Sequence, residues 1–349
     1  ILIAAVVPTS REASSAPLDW KGLVLSSAGM GTLVLGIIQA PQWGWGSSKT
    51  FATLLAGVTV LAVFVIVEMQ IERPMLDVGL FRNPRFTAAS GSVTIGFFTL
   101  AGFTFLITQY FQFVKGYSPL GTGVRLLPVA TSIAVASVLG TRFAVRIGNK
   151  AVVATGLTMF AATLFWIAIN TASTNYLTLV GQMILGGSGL GLITAPATEA
   201  IMGVVPTEKA GIGSAVNDAT RLFGAALGVA VIGSISASLY GSRLNATLPH
   251  GLTPQTAGAA KGSIGGALIA AQTLTQHGLT LPAHNLSVAA VAAFLHSMGG
   301  SLRVAGTVAI AGAIVAAALL PSRPTPPPVE LPVDEPTAGD RVLVLELDR

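Results

Sequence analysis

Apolar runs long enough to cross a bilayer recur eight times in this chain, at roughly 22–40, 51–70, 87–113, 122–143, 151–170, 176–205, 210–239 and 288–320. A helix needs ~20 mostly apolar residues to cross ~30 Å of hydrocarbon, where every backbone N–H and C=O must find its partner inside the segment. The runs therefore predict transmembrane helices. Composition agrees: 52% of residues are hydrophobic and 9% charged, whereas soluble domains spend about a quarter of theirs on charge. The chain reads as an all-α membrane protein, a multi-pass resident of the lipid bilayer.

The same composition excludes several chemistries. Cysteine is absent, so there is neither a disulfide framework nor a thiolate metal site, and the four histidines show no ligand spacing. No metal and no cofactor is expected. The net charge of +5 sits in short clusters between apolar runs rather than in a stripe, so no nucleic-acid partner is implied. The clusters act as topology signals. One side carries Arg11, Lys21, Arg73, Arg82, Arg85, Arg142, Arg146, Lys150, Lys209 and Arg323; the other carries Lys49, Lys115, Arg125, Arg243 and Lys261. The richer side is read as cytoplasmic, which puts a long 240–287 loop outside and the proline-rich 321–349 tail inside, disordered. Within that loop, 265–278 reads as an amphipathic helix lying at the outer surface, and the loop itself either caps a cavity or is a tolerated insertion. ILIAAVVP at 1–8 is too short to span and lacks the marks of a signal peptide, so residues 1–21 read as the end of a truncated span plus a cytoplasmic linker.

Of the fourteen acids, six fall in or beside cytoplasmic loops, Glu68 at the very end of a span among them, and six in the tail, which leaves only Glu199 and Asp218 well inside spans. A charge at mid-bilayer costs at least ~2.5–3.5 kcal/mol on insertion scales, so such residues face a bundle interior and find partners. Burial raises a carboxyl pKa, the property a proton carrier needs. Both acids lie ~10–12 Å from the same cytoplasmic turn at 1.5 Å per residue, and Arg221 follows Asp218 at i+3 and Asn217 at i+4. Asp218, Arg221, Asn217 and Glu199 are the candidates for proton coupling or gating; a snorkelling Arg221 in a polar lip that closes the bundle is the competing reading.

Two further patterns stand out. Gly187 with Gly191, and Gly224 with Gly228, make small-xxx-small faces for close helix packing, which suits sliding bundles as well as any tight membrane fold. Seven of the fifteen phenylalanines fall between Phe86 and Phe113. Phe103, Phe105, Gln109 and Tyr110 are the candidates for a cavity that takes lipophilic cations, although Phe facing lipid explains most of the cluster equally well.

Four stretches, PMLDVGLFRNPRF (74–86), QYFQFVKGYSPLGTGVRLLP (109–128), GGSGLGLITAP (186–196) and GIGSAVNDATRLFGAALGVAVIGSI (211–235), together resemble the major facilitator superfamily, in particular its fourteen-span drug:proton antiporters of the EmrB/QacA type. The resemblance implies a major facilitator-type helical bundle of about eight transmembrane helices equivalent to spans 7–14: a two-helix hairpin over 22–70, a cytoplasmic amphipathic link over 71–86 and a carboxyl-terminal six-helix bundle over 87–320. The amino-terminal bundle is then missing and required for function. It further implies proton-coupled efflux of hydrophobic or cationic drugs by alternating access in the plasma (inner) membrane, with a lipophilic small molecule and protons as partners, and a monomer when complete. TRFAVRIGNK (141–150) resembles the weaker copy of that superfamily's cytoplasmic gating motif through Arg142, Arg146, Gly148 and Lys150, but Val145 stands where an acid is usual. An inactive fragment of such a transporter is the alternative, and a membrane transferase a more distant one, since no loop supplies a cluster of His, Asp or Glu.

Overall fold

The computed structural model describes residues 19–71, 76–203, 205, 210–248 and 252–320. Among them run eleven α-helices and no strand. Eight helical segments are long and apolar enough to cross a membrane, the all-α bundle that the resemblance implies. The amino-terminal segment 1–18 and the tail 321–349 lie outside the described residues.

Helices α1 (Trp20–Trp43) and α2 (Ser48–Glu68) form the hairpin. Asp19 caps the first, accepting from the Gly22 amide at 2.8 Å, and Ser47 caps the second, accepting from Thr50. Their spacing is set by small residues: a Cβ at Gly57 would lie 2.7 Å from the Leu33 amide nitrogen, and one at Gly29 would lie 2.9 Å from the Leu61 side chain. Dispersion across such close contacts is what holds helices together in lipid, where burial of apolar surface gives no advantage. Phe51 and Leu55 on the outer face are accordingly exposed.

The link ends in a 3₁₀ turn, Val78–Arg82. Phe81 of this turn meets Phe86 edge-on at 5.1 Å, pinning the link to the bundle at the point where α3 (Pro84–Gln109) begins. Asn83 caps α3 and Pro84 occupies its first turn, where a missing N–H leaves nothing unsatisfied. A π turn, Tyr110–Val114, extends α3. Then α4 (Pro119–Arg125) and α5 (Leu127–Ile147) together make one span, interrupted where Pro128 removes a backbone donor. Gly148 joins α5 to α6 (Asn149–Ile167) with φ 89°, a conformation that favours glycine. The bundle continues through α7 (Tyr176–Met202) and α8 (Ala210–Thr247), the short helices α9 (Pro254–Gly262) and α10 (Ile264–Gln276), and α11 (Thr280–Leu319).

The expected 240–287 loop differs most from the structure. Helix α8 runs on to Thr247 and α11 starts at Thr280, because nothing in SLYGSRLNAT (238–247) breaks a helix once it is under way. The remainder folds inward rather than lying at the surface: Ala260, Ile264 and Ala267 are buried, and the Tyr240 hydroxyl donates to the Ala260 carbonyl at 3.0 Å. This outer layer shares one apolar core with Tyr110, Phe111, Leu164, Met183 and Phe294. A second core at the opposite end gathers Phe86, Leu157, Leu190, Ile193 and Ile201.

Two polar devices hold the end of the bundle nearest α9 and α10. Lys115 donates to the carbonyls of Ala172 (2.7 Å) and Thr174, closing the π turn onto the α6–α7 loop; partial burial lowers its pKa from the ordinary lysine range. Asn170 and Gln182, both buried, exchange reciprocal amide bonds of 2.9 and 2.8 Å. Gln182→Leu strands the Asn170 amide and is expected to destabilise by about 1–3 kcal/mol, whereas the double change to leucine recovers most of it. Thermal unfolding in detergent checks both.

Candidate functional site

Two arrangements stand out, a polar hub on α8 and an apolar groove between α5 and α7. The hub depends on close packing. A Cβ at Gly224 or Gly228 would overlap the carbonyl of Thr94 or Phe98, so α8 lies directly on the backbone of α3. That approach brings Phe97 beneath Arg221, with the guanidinium carbon 5.4 Å from the ring centre. Arg221 also donates to the Thr198 hydroxyl of α7 at 3.0 Å and lies 3.9 Å from the Asp218 carboxylate. One side chain thus touches three helices. Asp218 is 66% exposed and Arg221 31%, so their attraction is screened and modest.

Asn217 is buried one position earlier, and its Oδ1, like Arg221 Nε, has no hydrogen-bond partner among the described residues. Glu199 is exposed and makes no hydrogen bond or ion pair with Arg221 among the described residues. Its neighbour Thr198 makes the contact instead. The Thr198 hydroxyl donates to the Thr194 carbonyl at 2.8 Å, and the Thr194 hydroxyl lies 3.5 Å from that of Ser137. A ladder of hydroxyls therefore runs from Arg221 to α5.

The groove is about 640 Å³ and is lined by Val124, Leu127, Pro128, Thr131, Ser132, Val135, Ala136, Leu139 and Phe143 on the α4–α5 side and by Tyr176, Ile184, Ser188 and Leu192 on α7. Its floor is set by glycine: a Cβ at Gly187 or Gly191 would fall 2.6 Å from the carbonyl of Val129 or Ile133. At its outer end Arg125 lies 4.0 Å over the Tyr117 ring and 5.8 Å from that of Tyr176, whose hydroxyl donates to the Arg125 carbonyl at 3.2 Å.

None of Phe103, Phe105, Gln109 and Tyr110 lines this groove. Phe103 and Tyr110 sit in the outer core, and the Tyr110 hydroxyl donates to Thr171 at 2.7 Å. Phe105 is partly exposed beside Gly233 on the α3–α8 side, and Gln109 bonds back to the Phe105 carbonyl at 3.3 Å. The sequence does not distinguish the groove residues, because the exposed face of α5 carries Val, Leu and Phe, the same side chains that would face lipid. Ser188 between Gly187 and Gly191 was the one available signal. Around the α5–α6 junction Arg142 and Arg146 are exposed, no acid pairs with them or with Lys150 among the described residues, and the buried Asn149 donates to the Pro196 carbonyl at 3.5 Å. Among the described residues no three metal-ligating side chains gather.

Over 233 residues the chain is 36% identical to the multidrug resistance protein Stp of Mycobacterium tuberculosis, an overlap of 66% of this chain and 42% of that protein. It is 31% identical over 344 residues to the tetracenomycin C resistance and export protein of Streptomyces glaucescens, covering 96% of this chain and 63% of that one. With the multidrug efflux pump LfrA of Mycolicibacterium smegmatis it shares 31% identity over 310 residues, 89% and 60% of the two chains. The chain is a relative of drug-resistance exporters. It spans 42 to 63% of the length of these three proteins, whose names describe export and resistance rather than catalysis. No protein-family model matches it.

Proposed function

We propose that the eight spans correspond to spans seven to fourteen of a fourteen-span drug:proton antiporter, and that with an amino-terminal bundle they export lipophilic small molecules across the plasma (inner) membrane by alternating access. The observation that carries this reading is the groove between α5 and α7, drug-sized, apolar and uncovered, in a chain similar to proteins named for multidrug resistance and efflux. Buried apolar surface with a few hydroxyls is the ordinary chemistry of small-molecule sites. Proton coupling is assigned to Asp218. What supports this assignment is its place inside an apolar span, 3.9 Å from the Arg221 guanidinium that also reaches Thr198 and Phe97.

The test is efflux of a lipophilic dye from everted vesicles carrying the whole transporter under an imposed pH gradient. Asp218→Asn is expected to lower gradient-driven transport about tenfold, equal to ~1.4 kcal/mol, while equilibrium dye binding stays within about twofold. Unchanged gradient-driven transport would remove Asp218 from the coupling role. The 349-residue chain alone is expected to bind the dye in proteoliposomes without moving it.

A further inference from the structure

The groove has a charge bias of its own. Its lining contains no ionisable side chain with an acidic group near neutral pH, and helices α4 and α5 carry no acid along their length. On α7 the single acid is Glu199, seven residues beyond Leu192, about 10 Å further along the helix axis. The cations lie closer. Arg125 follows the lining residue Val124 and stacks towards the lining ring of Tyr176, and Arg142 precedes the lining residue Phe143. The apolar trough therefore has a positive charge at its Tyr176 end and a second arginine next in sequence to Phe143 at the other.

Arg125 is built to stay. Its Nη1 donates to the Gly121 carbonyl at 3.1 Å, and its plane is held over Tyr117. Stacking fixes the guanidinium without neutralising it, so its charge stays available to attract an anion in the groove. A cation entering the same space meets a positive charge that no acid pairs among the described residues, and is repelled by it.

We infer that the α5–α7 groove selects apolar organic anions over organic cations of the same shape, with Arg125 setting the preference. This rests on the groove being the substrate path, and it reverses the expectation of cationic drugs that the phenylalanine cluster raised. The test uses an isosteric pair of opposite charge, tetraphenylborate and tetraphenylphosphonium, bound at equilibrium to the chain in non-ionic detergent. Groove-dependent binding is the part abolished by Ser188→Trp. The anion is expected to bind about tenfold more tightly, ~1.4 kcal/mol; Arg125→Gln erases the preference and Arg125→Lys keeps it. Equal binding of the two ions by the unaltered chain, tighter binding of the cation, or an intact preference in Arg125→Gln overturns the inference while leaving the groove as a substrate path. Absence of groove-dependent binding for both ions overturns the path itself, and the inference with it.

Discussion

Replacing Gly228 by alanine is expected to destabilise the bundle by about 3 kcal/mol, the upper part of the range for overpacking a fitted core. A methyl group at this position would overlap the Phe98 carbonyl. A backbone atom cannot rotate aside as a side chain can, so α8 must lift off α3 and lose contacts along both helices. Gly91 on α3 supplies the control, because a Cβ there meets nothing within 4 Å. Gly91→Ala should leave stability unchanged or raise it, alanine being the better helix former by up to ~1 kcal/mol. Unfolding of the two variants in detergent, followed by helical signal, separates them. Equal midpoints would mean that α3 and α8 do not approach as closely as described.

Arg221→Ala carries the second large expectation. It removes the hydrogen bond to Thr198, the contact with Phe97 and the partner of Asp218 together. A hydrogen bond to a charged group contributes about 1.5–3 kcal/mol, so a measurable fall in unfolding temperature should accompany a fall in transport of at least about tenfold. Arg221→Lys retains charge but cannot reach Thr198 and Asp218 through a planar fork, and it should fall between the two. Comparison with Asp218→Asn then assigns the hub. A proton carrier predicts that both variants lose gradient-driven transport. A purely structural clamp predicts that Arg221→Ala loses stability and transport while Asp218→Asn loses neither.

Much of the hub was legible in one dimension. Asp218 and Arg221 are i and i+3 on an uninterrupted apolar helix, and α-helical geometry alone makes them neighbours. Glu199 shows the limit of that reasoning: equal depth on adjacent helices placed it near Asp218, but its side chain is exposed and Thr198 is the residue that reaches Arg221. Depth along an axis follows from residue count, whereas rotation about the axis depends on what the helix packs against. Phe103 and Tyr110 went the same way, into the outer core, because the π turn and the inward-folded α9 and α10 cover that side of α3.

The sequence by itself determined that the chain is a stack of membrane-crossing helices, where most of them run to within a few residues, the facing ends of α8 and α11 excepted, and that Asp218 and Arg221 lie inside one of them. Those properties follow from the cost of leaving backbone groups or charge in hydrocarbon, and that cost acts on each segment separately. Only the tertiary structure decided which helix faces meet. It laid α8 on α3 and α7 on α5 through glycines, folded 254–276 into the core, and left the groove open beneath Arg125. In lipid every helix face is apolar enough to be exposed, so hydropathy cannot choose among them. Close contact between particular small residues does.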